Sequence, residues 1–197
     1  MADGVKYRPE QERVADRILT TISLVDGFDS AGNERAEAGR AAILDLLHNH
    51  PAPFDPSSYE PGHITASAVV LSSNNEQLLL VYHQRLARWL QPGGHVEPGD
   101  RDVIETARRE LSEETGVKLD TAVPTRLVGI DVHEIPATES EPLHLHHDLT
   151  FAFTVDEPES VHQRGTELAL WFQVDQLDSC CLDDPLRRSL RKAMEKT

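Results

Sequence analysis

In RRELSEETG, residues 108–116, Glu110, Glu113 and Glu114 lie within five positions of one another. If the segment is helical, each residue advances the chain by about 100°, so Glu113 sits about 60° to one side of Glu110 and Glu114 about 40° to the other. The three carboxylates then share one face, and Ile104, Ala107 and Leu111 form an apolar stripe along its flank. A solvated acidic face is the simplest account, although like charges at these spacings destabilise a bare helix. The preceding stretch, PGGHVEPGD (92–100), supplies glycines that permit tight turns and close backbone approach. A glycine loop followed by an acidic helix can surround hard divalent cations such as magnesium, which prefer oxygen ligands and share their coordination with substrate phosphates. Arg109 either holds one of these carboxylates or pairs with Glu105 one turn earlier.

A second constellation is DVHEIPATESEPLHLHHDLTF (131–151). On strands, Asp131 and His133 face one side, and His144, His146 and Asp148 likewise share a side. Paired, these segments would gather histidine and carboxylate on one sheet face, suited to transition metals or phosphate contacts. The alternative is a set of strand-end histidines bonded to nearby backbone. Around the glycine loop, His83, Arg85, Arg88 and His95 are placed to reach substrate phosphates, though surface salt bridges explain the arginines equally well.

Helical spacing of Val14, Ile18, Leu19, Ile22 and Val25 predicts a helix over 9–26, and Ala41, Ile43, Leu44, Leu46 and Leu47 predict another over 33–48. Proline and serine then concentrate in 49–62, which reads as a linker. Residues 1–58 are expected to form a helical N-terminal extension and 59–197 the main domain. HITASAVVLS and QLLLVYH, separated by SNNE, predict a hairpin. RWLQPGGHVEPGD reads as a connection, followed by a helix that ends at Gly116, with Asp100 or Asp102 as its N-terminal cap. Further strands are expected in TRLVGIDVH, HHDLTFAFTV and LALWFQV, and a closing helix in DDPLRRSLRKAMEK. Irregularly mixed elements of this kind imply an α/β or α+β sandwich.

With 34 acidic against 19 basic residues the formal charge is -15, which opposes binding to nucleic acid or to an anionic membrane surface. A phosphorylated small molecule remains compatible, provided cations or a local basic cluster offset the repulsion. The apolar runs are too short to span a bilayer, and the first residues lack a secretory apolar core, so a cytoplasmic protein is expected. Cys180 and Cys181 are adjacent and read as reduced thiols rather than a disulfide framework.

The run Gly94-x5-Asp100-x8-Arg109-Glu110-Leu111-x-Glu113-Glu114-x-Gly116-Val117 resembles the Nudix box, G-x5-E-x7-R-E-U-x-E-E-x-G-U with U aliphatic. The second half matches at every specified position. The first half has aspartate in place of glutamate and one extra residue before the arginine. Counted from the glycines the first acid is Asp100, and counted from the helix that position holds Arg101. The resemblance implies a Nudix-type α/β/α sandwich with a mixed sheet. It also implies a metal-dependent pyrophosphohydrolase that cleaves the diphosphate linkage of a nucleoside diphosphate derivative. Glu110, Glu113, Glu114 and the Gly93 carbonyl would bind Mg2+ or Mn2+, and Arg109 would orient the glutamates. The general base would be Glu110 or a residue of the later loop, among Glu157, Glu159 and Glu167, with Glu167 favoured because it abuts the strand carrying Trp171. Arg85, Arg88, His95, His133 and His146 are the expected substrate contacts, and a homodimer is the expected assembly. Two other readings follow from the same resemblance: a nucleotide-binding sensor without turnover, and an isomerase acting on isopentenyl diphosphate.

Overall fold

The computed structural model describes residues 10–155, 168–180 and 182–195. Two helices, α1 (Glu10–Asp26) and α2 (Glu34–Asn49), precede the strands β1 (His63–Ser72) and β2 (Gln77–His83). A 3-10 turn (Gln84–Leu86) leads to the short strands β3 (Arg88–Leu90) and β4 (Gly93–His95), then to helix α3 (Val103–Thr115). Strands β5 (Arg126–Ile135), β6 (His144–Val155) and β7 (Leu168–Gln173) follow, and a second 3-10 segment (Val174–Cys180) precedes α4 (Asp184–Met194). Helix and strand assignments from periodicity agree with these elements, but RWLQPGGHVEPGD contains β3 and β4 rather than being an unstructured connection.

The sheet is mixed. Its path runs β3-β2-β1-β6-β5, with β4 paired to β1 and β7 paired to β2. The β1–β2 hairpin carries a single registered pair, Leu71↔Leu78; at its other edge β1 pairs β6 in parallel along its whole length, from His63↔His146 to Ser72↔Val155. β1 is therefore buried throughout, as a strand covered on both faces should be.

Alternation along β1 divides the core in two. Ile64, Ala66, Ala68 and Val70 join Val103, Ala107 and Leu111 of α3 and Val25, Ile43, Leu46 and Leu47 of α1 and α2. Val69 and Leu71 join Leu186 and Leu190 of α4 instead. The sheet is thus sandwiched between helices. The N-terminal helices pack into the same core as the sheet, and Arg17 of α1, 4% exposed, donates to the backbone carbonyl of Asp100 in the loop before α3.

Local signals set the ends of α3. Asp102 caps its N-terminus by accepting from the Glu105 amide at 2.8 Å. Gly116 ends it at φ 80, a left-handed conformation that side chains other than glycine adopt at a cost.

Candidate active site

The apolar stripe of α3 is buried against the sheet, with Ala107 and Leu111 fully covered, so its acidic face is directed to the edge formed by β4. Glu114 Oε2 accepts from the Gly93 amide at 3.0 Å. Gly94 permits a close approach: a Cβ there would lie 2.7–2.8 Å from the Glu110 carboxylate, which would have to shift. Glu113 is more exposed and is linked to Glu110 through Arg109, whose Nη1 donates to Glu110 Oε1 at 2.8 Å and to Glu113 Oε2 at 3.0 Å. Burial raises the Glu110 carboxyl above its ordinary value, against the opposing pull of Arg109.

Arg109 is itself anchored. Its Nε and Nη2 fork onto the two oxygens of Asp100, each at 3.1 Å, and Nη2 also donates to the His95 carbonyl at 2.7 Å. Asp100 is 5% exposed and additionally accepts from the Glu97 amide at 2.9 Å and the Thr106 hydroxyl at 2.8 Å. Burial disfavours its charge, but these partners outweigh burial and hold the carboxyl below its usual value. The two alternatives for the N-terminal cap are therefore separated: Asp102 caps the helix, and Asp100 anchors the arginine. Asp100, counted from the glycines, reaches Arg109 even though it is one methylene shorter than glutamate and one residue further away. Glu105 pairs with Arg101 at 3.1 Å rather than with Arg109.

On the other side of β4 the histidines converge. The β5–β6 register sets His133 opposite His146 and Asp131 opposite Asp148, and the β1–β6 register sets His63 beside His146. His146 Nε2 lies 3.3 Å from Nε2 of both His95 and His144. Burial first, and then the crowding of neighbouring imidazoles, drives the His146 pKa down to about 2. For His133 burial is outweighed by the Asp131 and Asp148 carboxylates, and its pKa rises. Asp148 accepts from Thr65 at 2.9 Å and Ser67 at 2.6 Å, and Asp131 from Arg35 at 2.8 Å.

The expected site residues thus separate into groups. Glu110, Glu113, Glu114, Gly93 and Arg109 come together on one side of β4, and His95, His133 and His146 on the other. Arg85 is exposed in the 3-10 turn after β2, and Arg88 faces Asp183 at 3.8 Å; among the described residues neither is joined to the α3 carboxylates by a recorded hydrogen bond or ion pair. Glu157, Glu159 and Glu167 lie outside the described residues. His63 was not among the expected site residues. Its only sequence signal is its place two residues before Thr65 and four before Ser67 in an alternating strand, and the parallel partner of that strand is not written locally.

The carboxylate group suits a hard divalent ion: all its side-chain donors are oxygens, and residue 94 leaves the Glu110 carboxylate the space a Cβ would take. Comparison with known proteins gives the class. The model of the NUDIX domain matches residues 61–196, and the chain belongs to that family.

Among individual relatives, the Escherichia coli phosphatase NudJ is 30% identical over 122 residues, covering 58% of this chain and 71% of that protein. The Xenopus laevis m7GpppN-mRNA hydrolase NUDT17 is 32% identical over 105 residues, 51% of this chain but only 34% of its own length. In fold, the chain resembles the Escherichia coli dihydroneopterin triphosphate pyrophosphohydrolase, with a TM-score of 0.53, 13% identity and coverage of 66% of this chain and 92% of that one. It also resembles the NUDIX domain of Shewanella oneidensis NrtR in complex with ADP ribose, with a TM-score of 0.51, 18% identity and coverage of 76% and 94%. Among the described residues no helix is long and apolar enough to cross a membrane.

Proposed function

We propose that this chain hydrolyses a phosphoanhydride bond in a nucleoside diphosphate derivative, with a divalent cation held by the α3 carboxylates. The observation that carries the reading is the meeting of Glu110 and Glu114 with the Gly93–Gly94 edge while Arg109 ties Glu110, Glu113 and Asp100 into one unit. The names of two relatives, a phosphatase and an m7GpppN-mRNA hydrolase, are consistent with that class of substrate.

Glu110, Glu113, Glu114 and the Gly93 carbonyl are the proposed ligands of Mg2+ or Mn2+. When bound, such a cation neutralises phosphate charge and acidifies a coordinated water. Arg109 keeps Glu110 and Glu113 in place through a guanidinium fixed from behind by Asp100, so the carboxylates are positioned before substrate arrives. Glu110 is the proposed base within the helix, placed beside the cation whose coordinated water it would deprotonate. With a chain charge of -15, an anionic substrate needs local compensation, which the bound cation would provide.

The test is a panel of nucleoside triphosphates, dinucleoside polyphosphates, nucleotide sugars and lipid diphosphates, assayed for phosphate or pyrophosphate release with and without Mg2+. The reading expects Mg2+-dependent release from at least one nucleotide member. Tight nucleotide binding with no release from any member would replace it with a sensor function.

A further inference from the structure

We propose that His63, His144 and His146 form a binding site for a first-row transition-metal ion of the zinc type, distinct from the α3 carboxylates. Ligand-capable nitrogens of these three residues lie within 4.8 Å of one another, and among the described residues no other trio of histidine, cysteine or carboxylate side chains does so. The topology creates the group: His144 and His146 are two apart on β6 and share a face, and His63 is the registered neighbour of His146 on the parallel strand β1.

Two of the three, His63 and His144, are hydrogen-bonded as metal-ligating imidazoles are. His144 Nδ1 lies 2.8 Å from the Pro142 carbonyl and His63 Nδ1 3.2 Å from the Ser58 carbonyl. A carbonyl only accepts, so each Nδ1 carries the proton and each Nε2 is left with a lone pair. Backbone carbonyls fixing the tautomer in this way are the usual support of a histidine ligand.

His63 Nε2 is buried with no hydrogen-bond partner among the described residues, in a residue with 0% exposure. His146 Nε2 is 3.3 Å from Nε2 of both His144 and His95, yet a single proton there can serve one of them only. Converging lone pairs without a shared cation are costly in a dry site. The 3.3 Å between His144 Nε2 and His146 Nε2 also matches the edge of a tetrahedron about a zinc ion, which Zn–N bonds of about 2.0–2.1 Å set at about 3.3 Å. Three imidazoles would leave a tetrahedral ion one further ligand to take, and the exposed His95 ring lies nearby, 5.0 Å from that of His63. Neutral nitrogen donors select zinc, cobalt, nickel or copper over magnesium, so the two sides of β4 would bind different ions.

The experiment is titration of the full chain, free of any polyhistidine tag, with Co2+ and then Zn2+ in millimolar Mg2+, following the visible absorption of bound cobalt and the metal content after dialysis. The expected result is saturable uptake of one Co2+ per chain, displaced by Zn2+. Affinity should fall by about 100-fold or more in His144→Gln and in His146→Gln, while a Glu113→Gln/Glu114→Gln variant keeps it. Absence of stoichiometric uptake by the unmodified chain, a result that needs no variant to fold, would overturn the proposal. So would uptake unchanged in both histidine variants, or uptake lost only when the glutamates are changed.

Discussion

On one face of β4 the Glu110 carboxylate fills the space beside Gly94; on the other, the His95 ring meets His146. The two clusters are neighbours in space and opposite in design. The carboxylates carry charge and are held together by a resident cation, Arg109, which touches Glu110, Glu113 and Asp100. Among the described residues the histidines have no such counter-charge at their centre, and burial keeps His63 and His146 neutral, with pKa values driven down to about 4 and about 2. Oxygen donors organised by an arginine suit a hard ion shared with a phosphate; nitrogen donors aimed by backbone carbonyls suit a softer ion held by the protein alone.

Four perturbations bear on that contrast. The largest effect is expected from Glu114→Gln, which removes a charged donor at β4 and should lower Mg2+-dependent turnover by about 10³-fold, the loss of about 4 kcal/mol of transition-state stabilisation; steady-state phosphate release measures it. Arg109→Met leaves the buried Asp100 carboxylate without its cationic partner, and urea denaturation should show a loss of about 3 kcal/mol, in the range for breaking a buried pair. Gly94→Ala drives a methyl into the Glu110 carboxylate, so turnover should fall about tenfold, from a displacement on the order of 1 Å. Cobalt affinity of the histidine site should hold in that variant, because the methyl points to the α3 side.

The smallest effect is the acid response of Asp100. Its folded pKa is depressed, so the stability it contributes is fully present above its unfolded value of about 3.9 and is lost as pH falls through the folded value. Asp100→Asn should therefore be less stable than the unmodified chain at neutral pH. The difference should narrow only below about pH 4 in denaturation curves across pH.

The contrast also explains what was readable in the sequence. Glu110, Glu113, Glu114 and Arg109 lie on one helix, and a helical repeat together with a box of contiguous residues exposes them directly. β1, β2, β5, β6 and β7 announce themselves through runs of β-branched and apolar residues. β4 does not: GGH has no periodicity, and only its pairing with Thr65–Ser67 makes it a strand. Asp100 and Asp102 were indistinguishable as caps, because the choice depends on where Arg109 reaches. The histidine site is nonlocal. His144 and His146 share a face by alternation, but His63 joins them through a parallel pairing across more than eighty residues, and parallel partners leave no turn signature. Arg17 was hidden for the same reason, since its partner is a backbone carbonyl of the loop before α3.

The central claim is that the carboxylate side of β4 does the chemistry and the histidine side does not substitute for it. The most direct measurement is hydrolysis of an accepted nucleotide by the Glu113→Gln/Glu114→Gln variant, with and without Mg2+ and with the histidine site loaded with zinc in each case. The account predicts Mg2+-dependent release by the unmodified chain and its loss in the variant, while the zinc content of both stays the same. Undiminished release by the variant would contradict it.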